Sequence, residues 1–128
     1  MKLLLDTHAF VWWASNSAKL PVAVRAHCSD PTNTLVLSVV SVWEMQIKIQ
    51  LGKLKVNRLL PDLVEHHRQV NQMQVLPISL EHVLTLDSLP AHHRDPFDQL
   101  LIAQAAVENV LLVSGDQVFS SYPIKLLW

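Results

Sequence analysis

Short, mostly apolar runs recur along the chain at 3–5, 35–37, 75–78, 111–113 and 125–127, each about the length of one strand. Longer segments of helical period separate most of them. Strands that are apolar throughout, rather than alternating, suit a parallel sheet covered on both faces. The pattern therefore predicts an α/β sandwich, whose sites should lie where the carboxyl ends of the strands meet the starts of helices.

The polar punctuation predicts where helices begin. Asp6 ends the first run and precedes a helical segment over 7–14. Ser41-Val42-Trp43-Glu44 has the Ser-x-x-Glu form of a capping box. Val40, Trp43, Ile47, Leu51 and Leu54 follow with helical spacing, so a helix should run to about Gly52. Asp95-Pro96-Phe97-Asp98 offers an N-cap, a proline at the first helical position and an acid in the first turn. The helix that follows should end near Glu108 or Asn109.

Composition narrows the class. A chain of 128 residues that is 50% hydrophobic and 16% charged can close one core, so one domain is expected and disorder is excluded. The net charge of −1 gives no global basic field, so any nucleic-acid contact must come from a local patch. Cys28 is the single cysteine and no Cys/His spacing reads as a zinc site, which points to a reducing compartment. Nothing resembles a signal segment or a membrane span, so a cytoplasmic protein complete from Met1 is expected. Gly occurs only at Gly52 and Gly115, which removes P-loop and dinucleotide-fingerprint readings.

Four acids carry the candidate chemistry, and each also has an ordinary reading. Asp6 could be a plain helix cap, and Asp116, after Gly115, a turn residue. Glu44 could be only the third residue of its capping box, with Lys48 as a surface partner four residues on. Asp98 lies on the face of Leu101, Ile102 and Ala105, which aims it along the core side of its helix. Taken together, two acids beyond strand ends and two in first helical turns converge on one sheet edge. Carboxylates gathered there repel one another unless a hard cation joins them, and Mg²⁺ or Mn²⁺ would resolve the conflict and activate water for phosphodiester hydrolysis.

These motifs resemble the PIN domain, in particular the VapC-type ribonuclease toxins of bacterial toxin–antitoxin pairs. The resemblance is carried by Leu3-Leu4-Leu5-Asp6-Thr7-His8, by SVVSVWEMQIKIQLGKL over 38–54, by HHRDPFDQLLIAQA over 92–105, and by 111–116 with Phe119. It implies a PIN-like three-layer α/β/α sandwich with a central parallel sheet, Mg²⁺-dependent endoribonuclease activity, a VapB-like antitoxin and a homodimer. Asp6, Glu44, Asp98 and Asp116 fall where the family's acidic cluster lies. Ser114 stands where Thr is common, which keeps a hydroxyl, and Gln46 where a small residue is usual. Asp95 competes with Asp98 within one short segment; the register favours Asp98, leaving Asp95 as a cap or a ligand through water.

Other features invite function less strongly. Lys48, Lys53, Lys55 and Arg58 form an acid-free stretch suited to RNA phosphates, or equally a solvated helix end. His92, His93 and Arg94 could touch RNA but read more simply as exposed loop residues. Trp12, Trp13 and Trp43 could stack on bases, although burial is the expected role. A receiver domain would need an acidic pair at the first strand end, and a haloacid-dehalogenase-like phosphatase an Asp-x-Asp motif; Asp6-Thr7-His8 supplies neither. The rival of another class is a noncatalytic PIN-like interaction module, which would show no metal dependence.

Overall fold

A computed structural model describes residues 1–90 and 95–128. In chain order the elements are β1 (Lys2–Leu5), α1 (Thr7–Ala14), α2 (Val22–Ser29), β2 (Thr34–Ser38), α3 (Val39–Gln50), α4 (Leu60–Val70), β3 (Gln74–Leu76), α5 (Leu80–Thr85), α6 (Pro96–Glu108), β4 (Leu111–Val113) and β5 (Leu126–Leu127). Two 3-10 turns, Leu86–Ser88 and Gln117–Ser121, flank α6 and β4. The five strands form one sheet in the order β3-β2-β1-β4-β5, with every neighbouring pair parallel. The parallel α/β sandwich expected from the apolar runs is what forms.

The central place of β1 follows from its composition. Leu3, Leu4 and Leu5 are all fully buried, and such burial contributes about 1.5–3 kcal/mol per side chain. Because successive strand residues face opposite sides, Leu3 and Leu5 join one core with Phe10, Val24 and Leu63, while Leu4 joins the other with Leu101, Ile102 and Phe119. Helices α1, α2 and α4 cover the first face and α6 the second, and α3 contributes Met45 to one core and Val40 to the other. Cys28 is a free, buried thiol, pushed up to about 11 by burial, and behaves as a small hydrophobe.

The start of α3 differs from the capping-box expectation. Ser38, the last residue of β2, is the N-cap and accepts a hydrogen bond from the Val40 amide at 3.0 Å. The strand passes into the helix with no intervening loop, so Ser41 lies inside α3 and Glu44 falls in the second turn rather than the first. The buried face is accordingly Val40, Ser41, Glu44 and Met45, whereas Trp43 and Leu51 of the expected apolar stripe are 53% and 61% exposed. The end of α3 is as expected. Gly52 adopts φ +72°, donates to the Ile49 carbonyl at 3.1 Å, and is followed by a Lys53 amide bond to the Lys48 carbonyl at 2.8 Å. This pair of bonds closes the helix, and the left-handed turn favours glycine.

Asp95 caps α6 by accepting from the Phe97 and Asp98 amides at 2.9 and 3.3 Å, and Asn109 ends it in the left-handed conformation. Within α6, Gln104 is fully buried and accepts a hydrogen bond from Ser38 Oγ, while its amide donates to the Pro77 carbonyl at 3.2 Å. One glutamine thus fixes the cap of α3 and the exit of β3 against α6.

Candidate metal centre

The topology places the acids on one edge. Asp6 directly follows β1, the middle strand, and its amide donates to the Val113 carbonyl of β4 at 3.1 Å. Helix α3 departs from the carboxyl end of β2, and Asp116 follows the carboxyl end of β4. Helix α6 leads into β4 from the opposite direction, so its first turn, with Asp98, returns to that same edge.

Asp6 and Glu44 form the buried part of the site, only 6% and 8% exposed. Asp6 caps α1 through a bond from the Ala9 amide at 2.7 Å. Burial pushes its carboxyl above the usual range; the Ser114 hydroxyl, the Ala9 amide and His8 partly offset this, and the neighbouring charge of Glu44 adds to it. Glu44 accepts from Thr7 Oγ1 at 2.6 Å through Oε1 and from Lys48 Nζ at 2.9 Å through Oε2. In this conformation Lys48 therefore supplies the positive charge that a buried carboxylate needs.

Two hydroxyl residues organise the acids. Thr7 ties Glu44 to the turn that begins with Asp6. Ser114 bonds Asp6 and accepts from the Asp116 amide at 3.1 Å, joining the acids beyond β1 and β4 through one side chain. In the sequence, Ser114 is marked only as a retained hydroxyl, and Thr7 carries no separate signal beyond its place after Asp6. Ser41 Oγ, one turn before Glu44, is buried with no hydrogen-bond partner among the described residues.

The outer acids are more open. Asp116 is exposed and accepts from the Val118 amide at 3.1 Å, and Asp98 is half-buried in the first turn of α6. Trp43 packs on Phe97 with ring centroids 4.8 Å apart and planes at 77°. Since each ring adjoins an acid in sequence, this contact holds the Glu44 segment of α3 beside the Asp98 segment of α6. Trp43 remains more exposed than buried, against the expected burial, while Trp12 and Trp13 are half-buried against the first core. Lys53 and Lys55 are exposed after α3; His92, His93 and Arg94 lie outside the described residues.

Among the described residues, no three His, Cys, Asp or Glu side chains form a group that could hold a metal ion. Asp6 and Glu44 nevertheless fit one. Their donors are all oxygen, as hard divalent cations prefer, their mutual repulsion calls for positive charge, and Ser41 leaves an unmatched hydroxyl one turn from Glu44.

A family profile for the PIN domain matches residues 3–125. The chain belongs to the PIN domain family. This PIN domain is also similar to solved structures over nearly its whole length. VapBC2 from Rickettsia felis, bound to a DNA fragment from its promoter, matches at TM-score 0.71 and 18% identity, covering 100% of this chain and 99% of that one. DNA-bound VapBC from Salmonella typhimurium matches at TM-score 0.70 and 17% identity, with 99% and 97% coverage. VapBC-5 from Mycobacterium tuberculosis, a member of the VapBC toxin–antitoxin family, matches at TM-score 0.58 and 19% identity, with 94% and 89% coverage. At these identities the likeness is one of fold. No curated protein sequence matches. Among the described residues no helix is long and apolar enough to cross a membrane.

Proposed function

We propose that this PIN domain is a divalent-metal-dependent endoribonuclease that serves as the toxin of a toxin–antitoxin pair. The observation that carries the reading is the buried Asp6–Glu44 pair at the carboxyl edge of the sheet, with each carboxylate held by a hydroxyl from a neighbouring element. Asp6 and Glu44 would hold Mg²⁺ or Mn²⁺ with Asp98 and Asp116 from the more open side, and Asp95 could add a contact through water. When bound, the ion lowers the pKa of the attacking water and neutralises charge on the phosphate and leaving oxygen. Thr7 and Ser114 orient the acids, and Lys48, Lys53 and Lys55 supply positive charge that offsets their repulsion of an RNA backbone.

The VapBC neighbours support a small VapB-like antitoxin as partner, and the resemblance supports a cytoplasmic homodimer. The carboxylates gathered at this edge would also attract an inserted Arg or Lys that competes with the metal. A second reading, a noncatalytic interaction module, draws on Lys48 already compensating Glu44.

Cleavage of RNA by partner-free protein, with Mg²⁺, Mn²⁺ and a chelator compared against Asp98→Asn, separates the two readings. The nuclease reading expects metal-dependent cleavage that the chelator and the substitution both abolish; no cleavage with either metal leaves the module. Co-expression with the small open reading frame beside the gene tests the partner. The product should copurify and suppress cleavage, and failure on both counts ends the toxin reading. Sedimentation of the purified chain should give a dimer; a monomer at all concentrations removes that part.

A further inference from the structure

A cleft of about 220 Å³ lies on the first face, between the second half of α1, the segment after α3 and helix α4. Its floor includes Val11, Val56 and Leu63, and Lys55, Arg58, His66 and His67 also line it; no acidic side chain does. Among the described residues none of these basic groups has an ion-pair partner. The His66 and His67 rings meet edge-on with centroids 5.0 Å apart, beside Lys55 and Arg58 in the cleft lining. Burial chiefly, and then the neighbouring His66 and Arg58, push His67 below the usual histidine range. The Asn71 amide, 2.7 Å from His67 Nδ1, can only donate there, which puts the ring proton on Nε2 and makes that nitrogen a donor.

We infer that this cleft is a binding subsite for a phosphate group carried on a nucleotide. The Arg58 guanidinium matches phosphate oxygens as a planar fork, Lys55 adds a point charge, and the histidines add further N–H donors. The volume suits a phosphate with its sugar rather than a helix, leaving the base outside. Ala14, at the cleft, is eight residues beyond Asp6, about 12 Å along the axis of α1, so the subsite takes a phosphate other than the one being cleaved. Where that phosphate belongs to RNA, the inference rests on the nuclease reading and adds a second contact on the substrate; a free nucleotide would use the same chemistry.

The test follows the His66 and His67 ring resonances of the full chain by NMR without divalent metal. The probes are inorganic phosphate, adenosine monophosphate, and a short single-stranded RNA with and without a 5′-phosphate. Adenosine monophosphate should shift both rings saturably, and Lys55→Ala with Arg58→Ala, both at exposed positions, should weaken that binding by at least about tenfold, the worth of one charge-assisted hydrogen bond. A gain from the 5′-phosphate identifies an RNA end as the source; binding of adenosine monophosphate alone identifies a free nucleotide. No saturable shift with any probe, shifts undiminished in the double variant, or tighter binding of an acidic peptide than of adenosine monophosphate overturns the inference. Cleavage that persists without these shifts removes the subsite and leaves the nuclease reading, whereas nucleotide binding without cleavage does the reverse.

Discussion

Thr7 Oγ1 donates to Glu44 Oε1 at 2.6 Å, joining the first turn of α1 to the second turn of α3 across the candidate metal centre. A hydrogen bond to a buried charged group is worth about 1.5–3 kcal/mol, so Thr7→Val should destabilise the protein by about that amount. Thr7→Ser should recover most of it. Chemical denaturation of the three proteins checks this, and a Thr7→Val variant as stable as the parent would show that the bond contributes nothing.

Asp6 gives the metal-free protein a pH dependence of known sign. Its folded pKa is raised, chiefly by burial, so the folded state binds its proton more tightly than the unfolded chain does. Stability contributed by this group is present below the unfolded Asp value of about 3.9 and declines as pH rises through the folded value. Asp6→Asn removes the charge but keeps a capping oxygen for the Ala9 amide. It should therefore raise the metal-free melting temperature at neutral pH, with the gain fading in acid, while RNA cleavage is lost. A gain that instead grows as pH falls would contradict the assigned direction.

On the proposed function, Lys48 and a bound metal would compete to compensate Glu44. Lys48 is one-third exposed, so its pairing with Glu44 is screened, and Lys48→Met should lower metal-free stability by about 1 kcal/mol or less. The stabilisation that Mg²⁺ brings should be larger in the variant than in the parent. Thermal melts at several Mg²⁺ concentrations measure this; equal metal responses would mean that Lys48 does not share the site.

The two acids at the head of α6 should separate cleanly. Asp95 makes the capping bonds, so Asp95→Ala should lower stability by about 1 kcal/mol, and Asp95→Asn should have a much smaller effect on both stability and cleavage. Asp98→Asn should abolish Mg²⁺-dependent cleavage. Full activity in Asp98→Asn, with loss in Asp95→Asn, would reverse their roles.

What the sequence determined by itself was the part set by local composition. Three consecutive leucines fixed β1 as a strand buried on both faces, Asp95-Pro96 fixed the start of α6, and Gly52 fixed the end of α3, because each depends on the backbone preferences of a few adjacent residues. The strand runs and the order of four motifs also made the parallel sandwich and the PIN resemblance legible. Tertiary structure decided what depends on distant neighbours. Ser38, held by Gln104 sixty-six residues away, took the cap that Ser41 offered locally, and so moved Glu44 into the second turn. Ser114 became the link between Asp6 and Asp116 only because β4 pairs beside β1. Trp43 stayed more exposed than buried because α3 turns Val40, Ser41, Glu44 and Met45 inward, a choice made by packing between two helical layers that no single-helix periodicity contains.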